Sequence, residues 1–415
     1  MSQLLIEGGY PLCGVIDVQG AKNSVLPILS AALMSDGECS VLNFPEITDT
    51  YVAIDILRAL GAKVVKQQDC ITINAKNADG YEIPYGLMRK MRSSIMFLGS
   101  ILAKNKKAVI SLPGGCELGQ RPIDIHLAAL RKMGVNIEEN HGFLECSHSG
   151  LKGCEISLSF PSVGATENIM LAAVKADGVT DIYNAAREPE IEDLARFLVK
   201  MGARIKGAGT DHISIEGVSS LSGCTHRVIP DRIVAGTYLC AVAATRGNAL
   251  LKNICPLHIY AVTSLLKEAG CDIKIYDDAV SIECDKLKSV PLVRTMPYPG
   301  FPTDEQAPFM ALMSIASGNT LFIETIFENR FKHVGELLRM GAKITTEGRV
   351  SLVEGVKKLH SATVQATDLR GGAGLAVAAL AAEGSTVISS VEHIYRGYEN
   401  FEYNISELGG KIKKI

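Results

Sequence analysis

Six near-copies of one short phrase run through the chain, and no other feature restricts its fold as tightly. An amphipathic helix end of the form Leu-x-x-x-Gly, followed by a β-like run, reads LRALGAKV at Gly61, LRKMGVNI at Gly134 and LVKMGARI at Gly202. It returns as LKEAGCDI at Gly270, LLRMGAKI at Gly341 and SELGGKI at Gly409. The intervals between these glycines are 73, 68, 68, 71 and 68 residues, a period that marks a repeated structural unit. A glycine closing an amphipathic helix suits a left-handed C-terminal cap.

Each copy carries an earlier helix rich in Ala, Leu and Ile, for example LPILSAALMSDG, IMLAAVKADG and GLAVAALAAEG. A short β-branched run such as VTDIY or TLFIET follows each of these helices. Then come the capped helix and two further strands, so the unit reads β-α-β-α-β-β. A unit of about 70 residues buries too little apolar surface to stand alone, so several must share one core.

The expectation is an α/β protein with two domains of three repeats each, their helices packed inside. Val228–Arg232, with Pro230, lies between the third and fourth copies as a crossover. The expected domains are residues 21–229, and residues 1–20 joined to 230–415, the leading β-rich piece completing the second domain's sheet. Such a two-lobed chain is expected to place ligands in a cleft.

Composition removes several classes of function. The net charge is −3, with 42 Lys and Arg scattered among 45 Asp and Glu, so binding to long nucleic acid is not expected. No basic and apolar leader opens the chain, and its apolar runs fall short of the ~20 residues that cross a bilayer. A cytoplasmic protein without membrane attachment is expected. Its eleven cysteines include no Cys-x-x-Cys pair, which argues against a zinc knot or disulfide framework. No phosphate loop of the Gly-x-x-x-x-Gly-Lys-Ser/Thr type and no dinucleotide fingerprint is present.

The repeats act as controls on one another. From the break after the first helix to the cap glycine, five copies span 23 to 25 residues and the second spans 29. The extra residues belong to SLPGGCELGQRPIDIH, Ser111 to His126, where Pro113, Gly114, Gly115 and Gly119 surround Cys116. A lengthened loop within a compact unit points to function, and a glycine-flanked thiol near Arg121 is a candidate for reactivity. The plain alternative is a solvent loop with an incidental cysteine.

Other candidates are charged. Lys22 and Asn23 open the first helix after a glycine, where backbone N–H groups favour an anion; an ordinary surface lysine is the competing reading. Arg121-Pro122-Ile123-Asp124-Ile125 offers a guanidinium for phosphate or carboxylate, with Asp124 equally suited to capping a helix. Asp304, in FPTDEQ, is expected at a helix start, as an N-cap or as a general base. Further on lie Arg330, Asp368, Arg370 and Arg396, and the three arginines with Lys22 form a set suited to a substrate with several negative groups.

At these positions the sequence resembles the UDP-N-acetylglucosamine 1-carboxyvinyltransferase family of enolpyruvyl transferases along its whole length. The shared motifs include GAKN at Gly20, MRSSI around Arg92, the Leu112–His126 run and PSVGATENIM at Pro161. They continue with PDRI at Pro230, FPTD at Phe301, ETIFENRF at Glu324, TDLR at Thr367 and RGYE at Arg396. The resemblance implies two inside-out α/β barrels of six βαβαββ repeats, akin to 5-enolpyruvylshikimate-3-phosphate synthase.

It also implies transfer of the enolpyruvyl group of phosphoenolpyruvate to the 3′-hydroxyl of UDP-N-acetylglucosamine in peptidoglycan synthesis, with no metal or organic cofactor. By motif, Lys22, Arg121 and Arg396 would hold phosphoenolpyruvate, with Arg370 adding charge nearby. Asn23 and Asp304 would contact the sugar, Asp304 as base. Cys116 would be the general acid and Asp368 would assist proton traffic. Arg92, Arg121, Pro122, Ile123, Asp124, Ile125, Ser162, Val163, Gly164, Ile326 and Arg330 would line the substrate sites. Two rivals are a shikimate 3-phosphate enzyme, disfavoured by the cysteine run, and a catalytically silent paralogue that binds UDP-N-acetylglucosamine as a regulator.

Overall fold

In the computed structural model residues 2–111 and 123–415 are described, with Arg92 described for its backbone alone. All six phrase glycines have positive φ, from +83° at Gly409 to +108° at Gly202, a conformation that costs residues with a Cβ. In each copy the N–H that follows the glycine donates five residues back. Ala62 reaches the Leu57 carbonyl at 2.9 Å, Ala203 reaches Leu198 at 3.0 Å, and Gly410 reaches Ile405 at 2.9 Å. This is the 6→1 bond of a Schellman cap, and it explains why leucine and glycine recur four residues apart.

The helix that opens each repeat is apolar around its whole circumference, as a helix enclosed by others must be. Ten of the eleven residues of Lys22–Ala32 are buried, and all thirteen of Arg232–Ala244. These inner helices approach closely. The Ser30 and Ser100 hydroxyls meet at 2.8 Å, and a Cβ on Gly374 would lie 2.8 Å from the Ala307 backbone.

Sheets cover the helices on the outside, and five of the six share one strand order. Glu38–Leu42 pairs parallel with Thr225–Arg227 and antiparallel with Cys70–Asn74, which pairs antiparallel with Lys63–Lys66. In another sheet Ser385–Ser389 pairs parallel with Thr363–Gln365 and antiparallel with Leu4–Glu7, itself paired to Lys411–Lys414. Cys13–Asp17 supplies the parallel partner of Asn248–Lys252. The second repeat has a three-stranded sheet among the described residues, with a single bridge between Glu82 and Val109 at the fourth position. Strands such as Val179–Tyr183 alternate exposed and buried residues, so one face meets the helices and the other meets solvent.

The chain forms two compact units, one of residues 2–19 and 230–415, the other of the described residues between 20 and 229. Each has its own hydrophobic core, from Ala21 to Val228 in one and from Leu4 to Val18 with Val234 to Leu408 in the other. Each unit is an α/β barrel turned inside out, with three repeats around its inner helices. Among the described residues no helix is long and apolar enough to cross a membrane.

Candidate functional site

In the unit that contains residues 230–415, two of the candidate residues, Arg330 and Arg370, meet at a third, Asp304. Pro302 precedes a short 3₁₀ segment, Thr303–Glu305, which leads into the helix Gln306–Met313. The aspartate does not cap that helix, contrary to one expectation for this position; its oxygens are taken by two guanidinium groups. Arg330 Nη2 donates to Oδ1 at 2.8 Å, while Arg370 donates to Oδ2 from Nε at 3.2 Å and places Nη2 3.1 Å from the same oxygen as an ion pair.

Both arginines are held by further contacts. Arg330 donates to the Thr303 carbonyl from Nε and Nη2 at 3.1 and 3.0 Å. Arg370 Nη1 donates to the Tyr398 hydroxyl at 3.3 Å, and that oxygen lies 2.8 Å from the Thr237 hydroxyl. Burial disfavours charge on Arg370, yet Asp304 and Tyr398 outweigh it and push its pKa upward. Glu305, the next residue, is wholly buried, and that burial pushes its carboxyl well up. A Cβ at Gly236 would fall 2.3 Å from a Glu305 oxygen, so glycine there makes room for this buried carboxyl beside Asp304.

Asp368 is the N-cap of the Leu369–Ala381 helix, its Oδ1 accepting the N–H groups of Arg370 and Gly371 at 3.0 Å each. Capping aims Arg370 from the first turn toward Asp304. His333 is fully buried, which pulls its pKa down to about 4 against the opposing field of Asp368. Arg396 ends the 3₁₀ segment Val391–Arg396 and is half-buried. Its loop is braced by Gln19, whose amide donates to the Gly397 carbonyl at 3.2 Å and accepts the Glu399 N–H at 2.7 Å. Gly397 lies against Leu369, where a Cβ would meet Cδ1 at 2.8 Å. The Ile326 N–H is fixed by Glu324 Oε1 at 2.8 Å, while Glu324 Oε2 accepts the Thr303 hydroxyl at 3.0 Å.

In the other unit Lys22 and Asn23 form the first turn of Lys22–Ala32, whose N-cap, Ala21, has no side chain to satisfy the leading N–H groups. Lys22 Nζ pairs with the buried Asp49 carboxylate at 2.8 Å. Ser24 donates to Asp193 at 2.5 Å, and Asp193 also faces His226 Nε2 at 3.0 Å. Burial works against ionising Asp193, but the hydrogen bonds from His226 and Ser24 prevail and hold its carboxyl below the usual range. The helix start is thus anchored by one ion pair and one buried aspartate.

Ser162 caps Val163–Ala173, its hydroxyl accepting the Ala165 N–H at 3.3 Å. Val163 and Gly164 follow in the first turn, where backbone N–H groups lack intrahelical acceptors. Ile123 is the N-cap of Asp124–Lys132, so Asp124 occupies the first turn and does not cap. Cys116, Arg121 and Pro122 lie outside the described residues, as does the side chain of Arg92.

Two sets therefore emerge: Asp304, Ile326, Arg330, Asp368, Arg370 and Arg396 in one unit, and Lys22, Asn23, Ile123, Asp124, Ile125, Ser162, Val163 and Gly164 in the other. Sequence reasoning missed Asp49, Glu324 and Tyr398. The acid in the first turn of the Thr48–Ala59 helix was the one local signal for Asp49.

A family model described as EPSP synthase (3-phosphoshikimate 1-carboxyvinyltransferase) matches residues 6–405. A protein of Caldanaerobacter subterraneus named UDP-N-acetylglucosamine 1-carboxyvinyltransferase 2 is 51% identical over 416 residues, covering 100% of both chains. The chain belongs to the UDP-N-acetylglucosamine 1-carboxyvinyltransferase family. Another relative of that name, from Carboxydothermus hydrogenoformans, is 48% identical across 100% of both chains. Among solved structures, the enolpyruvyl transferase NikO of Streptomyces tendae superposes with a TM-score of 0.90 at 26% identity, covering 100% of this chain and 98% of that one. An EPSP synthase of Acinetobacter baumannii, at 20% identity and a TM-score of 0.76, shares the fold. As a member of this family, the protein is an enzyme.

Proposed function

We propose that the protein transfers the enolpyruvyl group of phosphoenolpyruvate to the 3′-hydroxyl of UDP-N-acetylglucosamine, releasing phosphate, in the cytoplasmic stage of peptidoglycan synthesis. The observation that carries this reading is the 51% identity, over the full length of both chains, with a relative of that name.

The residues present suit that chemistry. Phosphoenolpyruvate bears a carboxylate and a phosphate, and Lys22, Arg121 and Arg396 hold them, with Arg370 adding positive charge. Asn23 and Asp304 contact the sugar, and Asp304 accepts the proton of the 3′-hydroxyl as its oxygen bonds to C2. Cys116 delivers a proton to the methylene carbon, forming a tetrahedral intermediate. Loss of a proton from that carbon and departure of phosphate restore the double bond, with Asp368 assisting the proton movements. Arg92, Pro122, Ile123, Asp124, Ile125, Ser162, Val163, Gly164, Ile326 and Arg330 shape the nucleotide-sugar site.

The test is phosphate release with each substrate alone and with both. Release is expected only with both, and Cys116→Ala is expected to abolish it. A chain that binds UDP-N-acetylglucosamine but releases no phosphate under any condition would be the silent regulator instead.

A further inference from the structure

Beside the start of the Val163–Ala173 helix lies a histidine to which the reaction above gives no task. His126 is 7% exposed. One edge of its ring faces Gly164, where an added Cβ would meet Cε1 at 3.2 Å and Nε2 at 3.5 Å. Its Nδ1 lies 2.8 Å from Asn168 Nδ2.

The protonation of this ring follows from the groups around Asn168. The Gly99 N–H can only donate, and it reaches Asn168 Oδ1 at 2.8 Å. The Ile95 carbonyl can only accept, and it takes a hydrogen from Nδ2 at 3.0 Å. With the amide oriented by these two backbone groups, its second Nδ2 hydrogen meets His126 Nδ1, which must present a lone pair. In a neutral imidazole the proton then sits on Nε2. Burial pulls the pKa of His126 down to about 4, so the ring stays neutral near pH 7.

The Nε2–H that results has no hydrogen-bond partner among the described residues. The ring is buried but its Nε2 is not among the buried unpartnered atoms, so this donor edge is open to an incoming acceptor. It adjoins the Val163 and Gly164 turn of an eleven-residue helix, and the Ser162 hydroxyl accepts the Ala165 N–H there. Backbone donors and a helix dipole that converge in this way suit a phosphoryl oxygen.

We propose that His126 Nε2–H donates to a phosphoryl oxygen of a nucleoside diphosphate seated at the N-terminus of Val163–Ala173, with Asn168 locking the ring in the donor tautomer. This assignment rests on the nucleotide-sugar reading above and adds a binding residue to it. Gly164 then has a steric reason as well: its bare Cα leaves space for the ring edge.

The test combines calorimetric titration of the full chain with UDP and with uridine, and ¹⁵N NMR of its histidine rings. His126→Leu is expected to weaken UDP binding about tenfold or more, the worth of one hydrogen bond to a charged group, and to leave uridine binding unchanged. His126→Gln, which keeps a terminal N–H donor, should recover most of that loss. The wild-type ring should be protonated at Nε2 between about pH 6 and 8, with that resonance shifting when UDP is added. UDP affinity unchanged in His126→Leu, a proton on Nδ1, or an Nε2–H resonance indifferent to UDP would overturn the assignment. A wild-type chain that binds no uridine nucleotide would contradict the functional reading itself. If His126→Leu fails to fold, the wild-type resonance and His126→Gln decide the question.

Discussion

Asp304→Asn changes one oxygen to an amide nitrogen at a point where two guanidinium groups meet. The carboxylate accepts from Arg330 at 2.8 Å on one oxygen and from Arg370 Nε at 3.2 Å on the other, with Arg370 Nη2 ion-paired at 3.1 Å. Asparagine keeps one acceptor, so its NH₂ must face a guanidinium that can only donate. The arginine side chains are 3% and 4% exposed, and the abandoned one cannot recover its bond from bulk water. Breaking a buried ion pair costs about 3–5 kcal/mol, and the partly exposed aspartate places this case near the lower end, ~3 kcal/mol. For a unit of this size that lowers the thermal midpoint by roughly 6–12 °C. Turnover should fall further, by about 10²–10⁴-fold, if Asp304 is the general base proposed above. Calorimetry and phosphate release on the same preparation read both effects. A midpoint within about 2 °C of wild type would refute the clamp, and activity within about tenfold would refute the base.

Acid should weaken the protein through its buried histidines. His126 and His333 are held neutral with pKa values of about 4, below the ordinary ~6.5. The unfolded chain binds those protons first, so each histidine's contribution is complete above about pH 6.5 and is lost as pH falls toward about 4, on the order of 3 kcal/mol apiece. Urea midpoints measured from pH 7.5 to 4 should fall across that window, and less steeply in His126→Gln; a flat profile would contradict the burial argument. Gly202→Ala places a Cβ at φ +108° with no neighbour within 4 Å, so backbone strain alone should cost ~1–2 kcal/mol, read from the denaturation midpoint. Fosfomycin, an epoxide mimic of phosphoenolpyruvate, should add once, at Cys116; peptide mapping that finds the adduct on another thiol would tell against the assigned acid.

The parts of this architecture legible in the sequence are those determined locally. A glycine at C′ of a helix is read from a few neighbours, which is why the positive φ at Gly61 through Gly409 could be expected residue by residue. An inner helix such as Arg232–Ala244 declares its burial by being apolar on every side. The pairings at the site were not legible, because they join residues far apart in the chain. Lys22 with Asp49, and Asp304 with Arg330, join the two helices of a single repeat, while Asp304 with Arg370 depends on how the fifth and sixth repeats pack together. Asp304 shows the limit of a local rule: an acid near a helix start resembles an N-cap, but two arginines take its oxygens. Asp368 and Asp231, in similar positions, do cap their helices.

The most direct measurement is the mass of the nucleotide sugar after incubation with phosphoenolpyruvate and the protein. The account predicts that UDP-N-acetylglucosamine gains one enolpyruvyl unit on its 3′-oxygen, that one phosphate appears for each product molecule, and that Cys116→Ala forms neither. Unchanged UDP-N-acetylglucosamine with the wild-type chain, or an enolpyruvyl product formed equally well by Cys116→Ala, would contradict it.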